Sequence, residues 1–366
     1  MCKQFGIITT HDVYNYGSSL QVYALQTYIE ECGLGKVKII DYKPNYLYKL
    51  INFMEVDSEK WRKNWITKTI YRLYLVPFRL SLLKKYIKYK HFNRKYLKLT
   101  NKSYTSYEQL REIDCIDNFD TYICGSDQIW NSIKYECGKD AAFYLEFTDK
   151  EKVSYAASFG SASISDLGKD MILNNIPKFK AVSVREKSGQ QLLSDLSFES
   201  TFVLDPVFLL PKDLWFQLSK DRMVNKKYIF VYGYDNSDKY YELIDLVAKR
   251  KKIDLIDLNS SKYFKDAGPL EFLDLIKNAE LIITTSFHAV AFSIIMNKPF
   301  IACTTSNKVL FERIESLLNV SGLQNRKYNG QGNIDSLLEN IDFSKVNKNI
   351  EEEILKSKEF LDNALR

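Results

Sequence analysis

Short apolar runs alternate along this chain with stretches whose apolar residues recur at helical spacing. Phe5–Thr9 is apolar and β-branched and predicts a buried strand. The polar loop His11–Ser19 follows, then a helix over Leu20–Glu31, where Leu20, Ala24, Leu25 and Tyr28 share a face and Gly33 offers a C-cap. Val37–Asp41 predicts a second buried strand. A strand–helix–strand opening with short connections implies a parallel sheet. Tyr122–Cys124, Val153–Ala157 and Ala181–Val184 predict further strands, Glu186–Leu193 a helix, and Thr201–Pro206 a strand running into a turn.

The pattern restarts after a linker over Val207–Trp215. Strands Tyr228–Tyr232, Ile253–Asp257, Leu281–Thr285 and Phe300–Ala302 are each followed by a helix, near Lys239–Lys249, Leu270–Asn278, Ala289–Met296 and Val309–Leu318. Repeated βα units of this length build a doubly wound domain. Glu351–Leu365 predicts a terminal helix with Ile354, Leu355 and Leu361 on one face. The pattern therefore predicts an α/β chain of two Rossmann-like domains, over residues 1–204 and 205–345. A last helix within 346–366 is placed to pack back on the first domain.

One stretch departs from this alternation. Residues 60–98 predict helices with a stripe of Phe78, Leu82, Leu83, Tyr86 and Ile87, with Pro77 breaking or beginning a helix. The chain of 366 residues carries a net charge of +6, but residues 60–99 hold 13 Lys or Arg and no Asp or Glu. The rest of the chain then carries 39 basic against 46 acidic residues. An acidic body bears one basic, aromatic-rich insertion, which raises nucleic-acid binding as a reading beside a solvated helical insertion.

Several classes fall away. The six cysteines form no CxxC pair, and the three histidines, His11, His91 and His288, lie far apart with no HExxH, so no metal site is expected. The first residues lack the apolar core of a secretory signal, and Ile70–Leu83 is too short and too charged to span a bilayer. No Asp-x-Asp, GxSxG or P-loop occurs.

Ligands of open α/β sheets bind beyond the carboxyl ends of the strands, so the loops directly after strands come first. In Asn15-Tyr16-Gly17-Ser18, Gly17 permits close approach and the helix start favours an anion; an ordinary cap by Ser18 or Ser19 is the alternative. Gly125–Asn131 offers Asp127, Trp130 and Asn131 for a sugar or phosphorylated ligand, or else a polar turn over a buried indole. Arg185 ends a strand where it can grip a phosphate or carboxylate, or join an ion pair. His288 follows Thr284-Thr285-Ser286-Phe287 at the end of a buried strand and suits acid–base work, although a lone histidine is often structural.

These loops together resemble the polysaccharide pyruvyl transferase family. The matching pieces are Asn15–Leu25, Asp120–Asn131, Ser154–Ser161, Ser183–Gly189, Val203–Leu210 and Ser286–Phe300, in the family's order. The resemblance implies a GT-B-like fold, with two Rossmann-like domains facing a central cleft. It implies transfer of pyruvate from phosphoenolpyruvate to a sugar of a cell-surface polysaccharide precursor, usually lipid-linked, giving a pyruvate ketal and free phosphate. No cofactor or metal is expected besides that donor.

Under this resemblance His288 is the acid/base, Arg185 the donor clamp and Asp127 a base for a sugar hydroxyl. Asn15, Tyr16, Gly17, Trp130 and Asn131 would hold the acceptor. Many members carry arginine two residues before the histidine, where this chain has Ser286; Ser286 and Thr285, or Arg326 and Lys327, would then meet the donor phosphate. Ser286 also keeps open a nucleotide-sugar glycosyltransferase on the same fold. The resemblance moves the basic segment from nucleic acid to membrane. The expected location is the cytoplasm, peripherally on the inner face of the cell membrane through residues 60–98.

Overall fold

A computed structural model describes the chain apart from residues 1, 49–60, 62, 220–221, 234, 236 and 305–307. The first domain is built on a seven-stranded, all-parallel sheet of β1 (Gln4–Ile8), β2 (Lys36–Tyr42), β3 (Leu99–Tyr104), β4 (Thr121–Cys124), β5 (Glu151–Ala157), β6 (Ala181–Val184) and β7 (Thr201–Phe202). Its order is β3-β2-β1-β4-β5-β6-β7. The second sheet, also parallel, comprises β8 (Tyr228–Tyr232), β9 (Asp254–Asp257), β10 (Leu281–Thr284), β11 (Phe300–Cys303) and β12 (Lys327–Tyr328), in the order β12-β11-β10-β8-β9. Both are doubly wound sheets facing one cleft: the alternation predicts two such domains, and the family resemblance implies their GT-B arrangement.

The helices used below are α1 (Tyr16–Glu31), α2 (Trp65–Ser81), α3 (Leu83–Tyr96), α4 (Lys187–Asp195), α5 (Asp238–Lys251), α6 (Pro269–Lys277), α7 (Phe287–Ile295), α8 (Lys308–Ser321) and α9 (Phe343–Leu365). Central strands such as Thr121–Cys124 and Leu281–Thr284 are buried throughout, as sheets covered on both faces require. α9 crosses from the second domain onto the first. Its Ser357 Oγ accepts the Leu204 N–H at 2.9 Å, Asp362 accepts from Tyr28, and the Leu365 carbonyl accepts from Lys3.

Three expectations change. Two short edge strands, β3 and β12, escape the periodicity reading, because edge strands need no continuous apolar run. α1 begins at Tyr16 rather than Leu20, because Asn15 is its cap: Asn15 Oδ1 accepts the Gly17 N–H at 3.0 Å and the Ser18 N–H at 3.4 Å. The basic insertion buries only part of its predicted stripe. α2 runs through Pro77, whose missing N–H concerns only an exposed turn at Leu73.

Phe78, Leu83 and Ile87 are exposed, whereas Leu82, Lys85, Tyr89 and Phe92 form the buried face. α3 bridges the domains, with Lys88 ion-paired to Glu271 at 3.0 Å and bonded to the Asp266 carbonyl. Lys60 and Arg62 of this segment lie outside the described residues.

Candidate active site

Strand order reverses between β1 and β4 in the first sheet and between β8 and β10 in the second. The loops after these strands meet in the cleft, as the switch-point rule requires. Arg185, directly after β6, lies at the centre and is fully buried. Its Nη1 donates to Asp205 Oδ2 at 2.5 Å and to Ser126 Oγ at 3.2 Å, and its Nη2 to Asp127 Oδ1 at 3.3 Å.

Asp127 also accepts from Thr10 Oγ1 at 2.8 Å, from the Ser18 hydroxyl and from the Gln128 N–H at 2.9 Å. It sits at φ 79°, a left-handed conformation that costs a non-glycine residue about 1–3 kcal/mol and that the surrounding bonds hold in place.

The charges explain one another. Burial alone would raise the Asp127 carboxyl, but Arg185 and His288, with the Ser18 and Thr10 hydroxyls, outweigh it and hold the group below its ordinary value. Burial likewise opposes ionisation of Asp205, and the facing His288 and Arg185 reverse the outcome. Burial works against the Arg185 charge, and the carboxylates of Asp205, Asp127 and Glu186 raise it.

His288 completes the group from the second domain, in the first turn of α7. Its Nε2 lies 3.6 Å from Asp205 Oδ2, an ion-pair separation longer than a hydrogen bond, and is buried without a hydrogen-bond partner. The opposite edge of the ring rests on Gly17, where a Cβ would overlap Nδ1 and Cγ. Gly17 is therefore required for space. Beside the ion network a cavity of about 390 Å³ is lined by Thr10, Tyr14, Asn15, Ser18, Asp127 and Lys134.

The remaining sequence candidates do not converge here. Trp130 is wholly buried, donates Nε1 to the Phe143 carbonyl at 3.1 Å and stacks on Tyr144, so it cannot stack on a sugar. Asn131 is buried and bonded to Gln128. Tyr16 stacks on Phe272 at 5.0 Å and forms an interdomain contact.

The N-terminus of α1 is already occupied by Asn15. Ser286 caps α7, accepting the Ala289 N–H at 3.5 Å, and Thr285 packs against Gly233. Arg326 spends Nη1 on the Leu337 and Glu339 carbonyls at 2.8 and 2.9 Å, which fixes a loop. Lys327 pairs with Glu315 at 2.7 Å and lines a separate cavity of about 790 Å³ with Asp235, Tyr240 and Thr304. The positive charge sought from Arg326 and Lys327 is thus engaged elsewhere.

Two residues were missed. Asp205 sits in a VLDP turn at the domain boundary, where Asp before Pro reads as turn chemistry. Arg313 lies on α8 and is buried, with its guanidinium carbon 5.7 Å from the Phe287 ring centre; Arg185 lies 4.8 Å from the same ring. Nothing in helical spacing marks that arginine.

Among solved structures, the chain is similar to a protein described as a UDP-N-acetylglucosamine 2-epimerase from Listeria monocytogenes, with a TM-score of 0.52 and 10% identity over 100% of this chain and 91% of that one. It also matches the UDP-GlcNAc 2-epimerase of Methanocaldococcus jannaschii at TM-score 0.48 and 12% identity, covering 96% and 92% of the two chains. A third match is the ADP-heptose LPS heptosyltransferase II of E. coli, at TM-score 0.36 and 11% identity, covering 97% and 99%. At 10% identity the first of these likenesses is one of fold alone. No curated protein matches the chain. The model of one family, polysaccharide pyruvyl transferase, matches residues 15–307, a span that includes Gly17, Asp127, Arg185, Asp205 and His288, and the chain belongs to that family of enzymes.

Proposed function

We propose that this cleft transfers the pyruvyl group of phosphoenolpyruvate to a sugar of a cell-surface polysaccharide precursor, forming a cyclic ketal and releasing phosphate. The observation that carries this reading is His288, buried in the cleft with Nε2 unpartnered and facing the Asp205 carboxylate. An imidazolium there can give its proton to the methylene carbon of the enol, with Asp205 Oδ2 3.6 Å from Nε2 to orient the ring.

The first sugar hydroxyl then bonds to the central carbon, and its proton returns to His288. The bond to the phosphate oxygen breaks and phosphate leaves. His288 passes its proton to the departing phosphate oxygen, and the second hydroxyl then closes the ketal and gives its proton to His288. Asp127, held ionised and bonded on both oxygens, is a weak base; its part is to fix the Arg185 side chain and the start of α1.

An acceptor on a lipid carrier brings the enzyme to an anionic membrane surface. α2 supports this: Trp65 and Tyr74 are 76% and 79% exposed, Leu73 and Leu80 are exposed beside them, and the segment carries cations with no acidic residue. Each cation near such a surface contributes about 1 kcal/mol. Among the described residues, no helix is long and apolar enough to cross a membrane.

The deciding assay follows acceptor-dependent phosphate release from phosphoenolpyruvate and the product mass, with oligosaccharide and lipid-linked acceptors. His288→Gln should lower that rate by about 100-fold or more. Turnover of a nucleotide sugar with no phosphate release would replace this reading with a glycosyltransferase. Sedimentation with anionic vesicles tests the docking. Charge reversal at Lys63, Lys68 and Lys84 should abolish it, whereas Lys85 and Lys88 are engaged inside the fold.

A further inference from the structure

Arg313 is only 8% exposed, and among the described residues its guanidinium makes no hydrogen bond or ion pair; its Nε is buried without a partner. A guanidinium carries donors in a fixed fork and keeps its proton in a protein, so it cannot escape this situation by becoming neutral. An uncompensated buried charge of this kind destabilises the fold unless something supplies the opposite charge.

The nearby acids are already engaged. Asp127 and Asp205 belong to Arg185 and His288. Glu186 accepts the Phe159 and Gly160 N–H groups at 2.6 and 3.1 Å through Oε1, and its Oε2 lies 4.0 Å from Arg185 Nε without a hydrogen bond.

Glu186 and Asp127 act on Arg313 only from a distance, and among the described residues neither forms an ion pair with it. Burial, and then the like charge of Arg185, pull the Arg313 value down to about 10. Lys134, at the rim of the 390 Å³ cavity, is lowered by burial and then by Arg313. The Phe287 ring lies within reach of both guanidiniums and fills the space between them with apolar surface. Buried nitrogens at Arg313, Arg185 and His288 lack hydrogen-bond partners, with Arg185 Nε 4.0 Å from Glu186 and His288 Nε2 3.6 Å from Asp205. Such an unsatisfied set of donors matches an anion with several acceptor oxygens.

We infer that Arg313, with Lys134 at its rim, forms the subsite that takes the phosphoryl group of the donor. This rests on the pyruvyl-transfer reading above for the donor's identity, but not for the anion chemistry. The fork of Arg313 would engage two phosphoryl oxygens and Lys134 a third, while Arg185 remains the scaffold of the ion network. The ligand supplies the charge that the fold withholds.

The test is calorimetric titration of the full chain and of Arg313→Met and Arg313→Lys with phosphoenolpyruvate and, separately, with inorganic phosphate, alongside ligand-free melting curves. Arg313→Met should weaken both ligands by about 10- to 100-fold. It should melt no lower than the wild type without ligand and lose the melting shift that phosphate induces. Arg313→Lys, which keeps the charge but not the fork, should fall between the two and serves if the methionine variant does not fold.

Unchanged binding of phosphoenolpyruvate in a folded Arg313 variant would overturn the subsite and leave the pyruvyl-transfer reading standing. Arg313-dependent phosphate binding without phosphoenolpyruvate binding would keep the subsite and overturn that donor. A wild type that binds neither ligand would overturn both.

Discussion

Two buried cations at the junction of the domains are held in opposite ways. Arg185 is enclosed by carboxylates, with Asp205 at 2.5 Å and Asp127 at 3.3 Å, and its charge is stabilised despite complete burial. Lys85, on α3, is 1% exposed and meets only rings: its Nζ lies 3.7 Å from the Phe264 ring centre, 4.9 Å from that of Tyr16 and 5.8 Å from that of Tyr14. Among the described residues no carboxylate pairs with it, and burial pulls it down to about 7. A cation ringed by acids is scaffold, because removing it strands those acids. A lysine without acids can leave its proton in solution. An arginine without an ion-pair partner, such as Arg313, can do neither and calls for a ligand.

The largest effect should separate the first two. Arg185→Met leaves Asp205 and Asp127 buried without their cation and should cost about 3–5 kcal/mol in urea unfolding at neutral pH. Lys85→Met exchanges an amine in an aromatic pocket for a thioether and should stay within about 1.5 kcal/mol of wild type. Equal losses would erase the distinction.

The acids add a sign. Asp127 and Asp205 titrate below their ordinary value in the fold, so their contribution is complete above that value and lost as pH falls through the folded values. In Arg185→Met both are raised, and the variant's deficit should shrink as pH falls toward about 5.

Arg185, Asp127, Gly17 and His288 were legible because each directly follows a strand or opens a helix, where sequence position alone fixes proximity to a switch point. Asp205 and Arg313 were not: Asp205 meets Arg185 from the turn after the neighbouring strand β7, where Asp before Pro reads as local turn chemistry, and Arg313 lies on α8, whose packing beside Phe287 no local spacing marks.

Trp130, Arg326 and Lys327 carry side-chain types suited to a sugar or phosphate. Their burial or pairing is settled by contacts to Phe143, Leu337 and Glu315, which local pattern does not encode. Lys85 inverted its expected role for the same reason. Its spacing places it on the buried face of α3, but composition reads it as one more surface charge.

A middle-sized effect sharpens how the ion network meets the second domain. Gly17→Ala places a methyl group where the His288 ring lies, so the imidazole or the whole of α7 must shift away from Asp205. A displacement of about 1 Å at the reacting group lowers rates about 100-fold. Steady-state kinetics should show this mainly in kcat, with Arg185 still paired and urea stability within about 3 kcal/mol of wild type. A normal kcat would mean that His288 does not need its present seat.

The smallest effect probes Lys85 itself. Its folded value of about 7 lies below the 10.5 of a free lysine, so between these limits the unfolded chain holds a proton that the fold does not. Stability should therefore rise with pH across that window, by at most about 1.4 kcal/mol per pH unit from this group. Below about pH 7 both states are protonated and the contribution is flat. Lys85→Met removes the slope, so the difference between wild type and variant in urea unfolding should move in favour of wild type from about pH 7 to about pH 9. A difference that stays constant over that range would mean that Lys85 keeps its proton and that three aromatic rings hold a cation as firmly as the carboxylates hold Arg185, which would remove the chemical basis for treating the two sites as different kinds.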